Sequence, residues 1–180
     1  GPPAILVSAN ANAGFSIVKY DGSGVSGTAI PHGLSAAPNM TIIKCTSDNS
    51  TNWIVHHSSL GNSKYLTLNS DAVEDTSTNW LVPSATTFAL NQTFGNANTS
   101  GRQYIAYCFH DVAGYQKFGS YTGNSGNNAD APFIYTGFKP SFFLVKNTAQ
   151  ASAWEMYDNK RLGYNPNNYQ QRANEAAAEG

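Results

Sequence analysis

Short apolar runs separated by turn residues are the dominant pattern along this chain. Residues 64–69 alternate apolar and polar positions, and residues 15–20 form a second predicted strand. Residues 40–45 and 103–110 are apolar on both faces, which is typical of central strands in a sheet. No stretch keeps a helical period beyond one turn. The pattern predicts an all-β protein, an antiparallel β-sandwich or jelly-roll-like fold rather than a closed barrel.

One order of elements occurs twice in the sequence. Residues 14–44 read as a strand, a glycine turn, a short strand, a Pro-His-Gly turn and a buried strand, and much of this returns in residues 117–146. Three matched pairs keep offsets of 101, 102 and 101: Tyr20 with Tyr121, Lys44 with Lys146, and Trp53 with Trp154. Because self-similarity of this kind marks copies of one structural unit, we predict two related β repeats.

The repeats divide the chain into three predicted parts. Residues 1–14 are an irregular lead-in with an edge strand at residues 5–7, residues 15–112 are the first repeat, and residues 113–180 are the second. The strands expected in the second repeat are residues 115–121, 132–136, 141–147 and 153–158. Counterparts of the predicted strands 86–90 and 103–110 are missing from it. We therefore expect a truncated second repeat whose open strand edges are covered by a symmetric neighbour.

The first two residues bear on what the chain represents. Gly1 and Pro2 are typical of the scar that a 3C-type protease leaves when it removes a purification tag. We therefore interpret the chain as a fragment of a longer protein.

The composition narrows the classes of partner. Charged residues make up only 12% of the chain, and the net charge is −1, so no basic face is expected for nucleic acid. No apolar run approaches the roughly 18 residues of a membrane span. Hydrophobic residues reach 41%, which is enough for a core, and Asn, Ser, Thr, Gly and Tyr must supply most of the surface. Such a surface suits contacts with sugars or other proteins.

No set of residues in the sequence matches a catalytic site. Residues 22–27 read G-x-G-x-x-G, but the following Thr-Ala-Ile-Pro-His-Gly cannot begin the helix that a dinucleotide site needs, so the motif predicts a turn. No G-x-S-x-G occurs, and His110–Asp111 has no serine singled out beside it. The acidic residues Asp71, Glu74 and Asp75 lie in one polar loop. We therefore expect no enzymatic activity and no catalytic residue.

Metal and thiol chemistry are equally unsupported. His56 and His57 are neighbours on a predicted strand, so their side chains point to opposite faces and cannot readily hold one ion. We expect no metal and no cofactor. Cys45 and Cys108 both lie in apolar strand-like runs, which favours two buried free thiols. A disulfide between two strands of one sheet remains the alternative.

Aromatic residues are the better candidates for binding. Trp80, Tyr164 and Tyr169 lie in predicted loops, where exposed rings beside amides and hydroxyls suit sugar stacking or protein contact. We take these three residues, together with His56, as the candidate ligand-binding residues. Trp53 and Trp154 occupy matching strands and are expected in the core.

Longer stretches of the sequence carry a resemblance to a known group of proteins. The stretch AGFSIVKYDGSG, continued by IPHGLSAAPNMTIIK and NWIVHHSSLGNSKYLTLNS, is similar to a domain of unknown function at the C-terminal end of tailed-phage appendage proteins. These are tail-fibre-like structural proteins of marine and environmental phages. The later YIAYCF, FGSYTGN, FIYTGFKPSFFLVKN and YDNKR fit the second half of the same pattern. The resemblance covers Ala13 to about Arg161.

The resemblance implies a role but no chemistry. It implies a structural or host-attachment module of a phage virion, located in the tail or an appendage and facing the outside, without catalytic activity. Its expected partners are a host cell-surface glycan or protein and other virion proteins, and a homo-oligomer such as a trimer is expected for a fibre. Its second half normally continues past the point equivalent to Gly180, which agrees with a truncated repeat. A lectin-like carbohydrate-binding module is the alternative.

Overall fold

The protein consists of antiparallel β-strands joined by turns. The computed structural model describes residues 4–91, 96–124, 130–160 and 169–176, and within these ranges it contains thirteen strands and two short 3-10 turns. The strands are β1 (Ile5–Asn10), β2 (Phe15–Asp21), β3 (Thr28–Pro31), β4 (Met40–Cys45), β5 (Ile54–His57), β6 (Lys64–Thr67), β7 (Asp75–Thr76), β8 (Leu81–Pro83), β9 (Thr87–Leu90), β10 (Gln103–Phe109), β11 (Phe142–Val145), β12 (Glu155–Asp158) and β13 (Gln171–Arg172). In these described ranges, no helix is long and apolar enough to cross a membrane.

The largest sheet has seven strands in the order β1-β2-β10-β4-β5-β6-β7. Its central strands alternate buried and half-buried positions, so each strand presents one fully buried face. Opposite residues on that face include Tyr20 with Tyr104 and Ala106 with Ile43. The predicted central strands at residues 40–45 and 103–110 are confirmed.

A smaller sheet with the order β3-β9-β8 belongs to the same hydrophobic core as the buried face of the large sheet. The core includes Val18, Tyr20, Ile43 and Tyr104 of the large sheet and Ile30, Leu81, Phe88 and Leu90 of the small one. The Tyr20 hydroxyl donates a hydrogen bond of 2.8 Å to the Ala97 carbonyl, so its buried oxygen is satisfied. Two antiparallel sheets around one core confirm the predicted all-β sandwich.

A third sheet, β11-β12-β13, packs against the opposite face of the large sheet. Its contact is a second hydrophobic cluster in which Trp154 is only 4% exposed beside Val55 and Leu66. The Trp154 Nε1–H donates to the Thr67 carbonyl at 2.9 Å. The predicted core position of Trp154 is confirmed.

Two strands predicted for the second half of the chain are wrong. Residues 115–121 contain only the single bridge between Val112 and Gln116, and residues 132–136 contain no strand pairing. In the first half, β2 is paired by β1 and β10, and β3 is paired by β9. A β-strand needs a hydrogen-bonded neighbour, and the described residues offer none to these two segments.

The lead-in is more regular than predicted. Residues 5–7 do form an edge strand, but β1 extends through Asn10 and pairs with β2 along its full length. The expectation of an irregular segment up to residue 14 is therefore wrong, because β2 supplies a complete neighbouring edge.

The two cysteines are buried and free, as the apolar runs indicated. Cys45 lies opposite Tyr104, whereas Cys108 lies opposite Thr41, which places them about four residues, or roughly 13 Å, apart along the paired strands. This distance is too long for a disulfide. Burial raises the pKa of the Cys108 thiol to about 12, so it stays protonated.

Candidate functional site

Trp80 lies in the core and does not present a binding surface. Its side chain is 1% exposed, and its Nε1–H donates to the Lys64 carbonyl at 3.0 Å. The rings of Tyr65 and His56 meet it edge to face at centroid distances of 5.9 and 6.1 Å. The expectation that Trp80 is exposed in a loop is wrong, because the turn before β8 folds the indole inward between the sheets.

His56 is buried beside Trp80 and is equally unsuited to contact a ligand. It is 0% exposed, and neither ring nitrogen has a hydrogen bond of ordinary geometry. Burial, and then the neighbouring His57, lower its pKa to about 4, while the nearby Asn62 amide opposes the shift. A histidine in this setting is a neutral core residue at physiological pH.

Of the two remaining predicted residues, only Tyr169 lies in the part of the chain that the structure describes. Tyr169 is 38% exposed. Tyr164 lies outside the described residues. Trp53, expected in the core, is half-buried and stacks on Tyr107 at a centroid distance of 6.4 Å. The predicted site is therefore not assembled as one surface from its described members.

A different set of aromatic residues forms a cavity on the outer face of the large sheet, which is the face opposite the main core. The cavity is an open depression rather than an enclosed space, with a volume of about 470 Å³. Its lining, called the aromatic cavity below, is Asn10, Ala13, Phe15, Tyr107, Phe109, Tyr115 and Gln116. Tyr115 is 63% exposed, so the cavity has an aromatic wall that a ligand in solvent can reach.

The strand pattern explains why aromatic rings gather there. Ser16 and Cys108 point into the core, so the alternation of β2 and β10 turns Phe15, Tyr107 and Phe109 to the other face. The rings of Phe15 and Phe109, which are opposite residues, lie 4.9 Å apart. This close aromatic pair forms the floor of the cavity.

A tight turn places the remaining wall. Gly14 ends the first 3-10 turn with a φ of +62°, and its carbonyl accepts hydrogen bonds from the His110 N–H and from Gln116 Nε2, both at 3.0 Å. Gln116 Nε2 also donates to the His110 carbonyl at 2.6 Å. These bonds hold residues 112–116, which carry Tyr115, against the ends of β2 and β10.

Comparison with known proteins places the chain in a family. Residues 3–180 match the family model described as a domain of unknown function, DUF7483. The chain belongs to this family. No curated protein and no solved structure matches this chain.

The lining of the aromatic cavity in this DUF7483 chain suits a neutral ligand. It contains aromatic rings, one alanine and two amide side chains, and no charged residue. Asn10 Oδ1 accepts from the Ala13 N–H at 3.1 Å, which orients the amide at the rim. Rings beside amides allow stacking and hydrogen bonding without a charge partner.

The described residues of the DUF7483 chain offer no cluster of three or more metal-ligating side chains. The histidines instead serve the fold. His32 Nδ1 accepts from the Leu34 N–H, and its Nε2–H donates to the Ser84 carbonyl, both at 3.1 Å.

One serine–histidine contact was missed in the sequence. Ser35 Oγ lies 3.4 Å from His110 Nε2, and His110 Nδ1–H donates to the Asp111 backbone carbonyl at 2.7 Å. The Asp111 carboxylate accepts from Lys117 and from the Phe118 N–H. The carboxylate that would orient the base in a catalytic triad is therefore engaged elsewhere.

The sequence did contain a signal for the aromatic cavity. Along β2 and β10, the residues that alternate with the core residues include Phe15, Tyr107 and Phe109. A strand face exposed to solvent usually carries polar residues at such positions. The two-sided apolar character of residues 103–110 predicted a central strand with both faces buried. The structure leaves these three aromatic residues half-buried because only part of the outer face is covered by the third sheet.

Replacing Gly14 by alanine is expected to loosen the aromatic cavity. A Cβ there would lie 2.6 Å from Val112 Cγ2 and 2.7 Å from the His110 carbonyl oxygen, and alanine disfavours the positive φ. We expect Gly14→Ala to cost about 1–3 kcal/mol in unfolding free energy, measured by urea denaturation.

Gly114→Ala is the matched control for that substitution. Gly114 has a similar φ of +74°, but no atom lies within 4 Å of the place that a Cβ would occupy, so only the backbone strain applies. If both substitutions cost the same, the close approach at Gly14 does not matter for stability.

Proposed function

We propose that this chain is a non-catalytic host-attachment module of a phage tail fibre or appendage, exposed on the outside of the virion. The observation that carries the proposal is the aromatic cavity, a concave surface of about 470 Å³ with uncharged lining and an exposed tyrosine wall. Such a surface recognises a ligand by stacking and shape rather than by reactive groups.

The composition supports the same proposal. With only 12% charged residues, the surface consists largely of Asn, Ser, Thr and Tyr, which suits direct contact with other macromolecules. The partners proposed are a glycan or protein on the host surface, and further virion proteins that hold the module in a homo-oligomer such as a trimer.

Binding of the labelled chain to a panel of bacterial cells tests the attachment role. We expect saturable binding to some strains, reduced by excess unlabelled chain and unchanged by an unrelated β-sandwich protein. Saturable binding to none of a broad panel, with a chain verified as folded by circular dichroism, would argue for a purely structural role.

Tyr115 is expected to be a principal contact in the aromatic cavity. Because its ring is 63% exposed, Tyr115→Ala should change the unfolding free energy by no more than about 0.5 kcal/mol. Loss of one stacking ring should weaken cell binding about 2–13-fold, the range that corresponds to 0.5–1.5 kcal/mol. Titration of labelled chain on a binding strain measures the change.

Tyr121→Ala is the control for Tyr115→Ala. Tyr121 is 54% exposed but does not line the aromatic cavity, so its loss should leave binding unchanged. Equal losses for both substitutions would mean that binding does not use the cavity.

A lectin-like carbohydrate-binding module is the second candidate. It is favoured by the combination of Tyr115 with the amides of Asn10 and Gln116 around a cavity without charged residues. A glycan array should then show neutral glycans whose binding falls with Tyr115→Ala. Periodate treatment of the cells should remove their binding, whereas loss after protease treatment alone would point to a protein receptor.

A further inference from the structure

The pairing register of the third sheet matches that of β4, β5 and β6 in the first half of the chain. The four opposite pairs between β4 and β5 run from Met40–His57 to Ile43–Ile54. The four pairs between β11 and β12 run from Phe142–Asp158 to Val145–Glu155. The register is the same, because β11 is numbered 102 higher than β4 and β12 is numbered 101 higher than β5. The pairing of β5 with β6 likewise returns between β12 and β13, at offsets of 101 and 105.

Hydrogen bonds outside the strand ladders repeat at the same offsets. The Trp53 N–H donates to Asn69 Oδ1 at 2.9 Å, and the Trp154 N–H donates to Asn174 Oδ1 at 2.7 Å. Three backbone N–H to carbonyl hydrogen bonds of the first half also have counterparts in the second half. In the first half they are Leu68 to Trp53, Ser58 to Asn39, and Ser70 to Thr67. Their counterparts, in the same order, are Ala173 to Trp154, Asn159 to Ser141, and Glu175 to Arg172. Shared register and shared capping bonds support a duplication more strongly than the sequence match alone.

The two matching units, called the first copy (β4, β5 and β6) and the second copy (β11, β12 and β13), differ at one strand edge. In the first copy, β10 pairs with β4 in a register that places Phe109 opposite Met40 and Tyr104 opposite Cys45. In the second copy, β11 is the end strand of its sheet, and no described strand lies on its outer side. The Ser141 carbonyl accepts a hydrogen bond from the Asn159 N–H, on the side of β11 that faces β12. Because backbone groups of successive residues in a strand point to alternate sides, the N–H and carbonyl groups of residues 142, 144 and 146 point to the open side.

The second copy also exposes residues whose counterparts are buried. Phe143 is 50% exposed, whereas its counterpart Thr41 is 0% exposed. The exposed apolar residues in this part of the chain are Phe133 at 88%, Ile134 at 48%, Tyr135 at 81%, Phe142 at 57% and Phe143 at 50%. At roughly 200 Å² for each side chain, they leave on the order of 600 Å² of apolar surface uncovered in total, on both faces of β11 and in residues 133–135.

We propose that the open edge of β11 binds an extended segment with the pattern of β10, antiparallel and in the register that β10 takes on β4. The bound segment would place its residues opposite residues 142–147 and cover Phe142 and Phe143 from the edge. It carries apolar side chains at alternating positions and needs no charge, as in the β10 sequence QYIAYCF. Main-chain hydrogen bonds supply the affinity, and alternate side chains supply the choice of segment.

The same open edge explains one of the two wrong strand predictions, the strand expected at residues 115–121. In the first copy, β10 lies between β2 and β4, and it therefore pairs with both. The counterpart of β2 is residues 117–121, which have no strand partner among the described residues. A segment bound at β11 would offer its second edge to these residues, so the segment completes the copy.

A nine-residue peptide with the sequence of residues 102–110 tests the proposal, with Cys108→Ser and flanking lysines for solubility. The readout is hydrogen exchange of the intact chain. We expect the amides of Phe142, Leu144 and Lys146 to exchange at least about tenfold more slowly when the peptide is saturating. A peptide of the same composition with the alternation broken should give no protection.

Two substitutions at one position separate edge pairing from side-chain contact. Phe142→Pro removes an outward N–H without removing a bond to β12, and Phe142→Ala removes the same ring but keeps the N–H. The proline variant should bind the peptide about fivefold more weakly than the alanine variant, as measured by fluorescence anisotropy. Equal affinities would mean that the peptide does not pair with this edge.

The remaining outcomes overturn the proposal. One is absence of peptide binding, and another is protection confined to the β1 or β7 edge. In a third outcome, the amides of residues 142–146 are protected from exchange without peptide. This protection increases with chain concentration, and light scattering gives the mass of a dimer. That result would assign the edge to a second copy of this chain.

Discussion

Replacing Trp80 by alanine is expected to lower the unfolding free energy by about 3–5 kcal/mol. The indole is 1% exposed between the sheets, in edge-to-face contact with Tyr65 and His56. Its removal leaves a cavity that neighbouring β-strands cannot close without breaking their ladders. Urea denaturation followed by circular dichroism measures the loss, and the melting temperature should fall on the order of 10 °C.

The same substitution separates the core position from a ligand-binding role. Val25→Ala, at a side chain 62% exposed, is the control and should change the unfolding free energy by no more than about 0.5 kcal/mol. Trp80→Phe should cost less than alanine because most of the ring volume remains. A Trp80→Ala protein of normal stability that had lost cell binding would contradict the buried position.

Acid is expected to destabilise the protein through His56. Its pKa is about 4 in the folded protein, where burial disfavours the charged ring, against 6.5 in the unfolded chain, where the ring is hydrated. Between these values the unfolded chain binds the proton more readily, so stability falls as the pH is lowered from 6.5 towards 4. A difference of about 2.5 in pKa corresponds to roughly 3 kcal/mol over that range.

His56→Leu tests this pH dependence. Leucine cannot be protonated, so the variant should lose roughly 3 kcal/mol less than the original protein between pH 7 and pH 4, in urea denaturation at each pH. Burial also lowers the pKa of His32 and His57, and these residues should leave some acid sensitivity in the variant. An unchanged slope would show that His56 does not control acid unfolding.

Much of the first half of the fold was predictable because its strands are specified locally. Residues 40–45 and 103–110 are apolar at every second position or more, and such segments become central strands wherever a sheet can form. The second half was less predictable. Residues 132–136 have the same local character but no strand partner in the described structure, so their pattern alone did not make them a strand.

The expected exposure of Trp80 was wrong for a related reason. Trp80 follows a polar stretch, and its neighbours in sequence indicate a loop. Its burial depends on Tyr65 and on the sheet across the core, which sequence neighbours do not reveal. The aromatic cavity likewise combines Phe15 with Tyr115, which are far apart in the chain and meet only because Gln116 and His110 bind the Gly14 carbonyl.

The sequence by itself determined the all-β class and the central strands, and it indicated that both cysteines are buried, because alternation and apolar runs act through neighbouring residues. Only the tertiary structure decided which aromatic rings face solvent, which strand ends its sheet among the described residues and which histidine remains neutral. Those properties depend on long-range packing and on the removal of water from particular side chains, and neither is encoded in the period of a short segment.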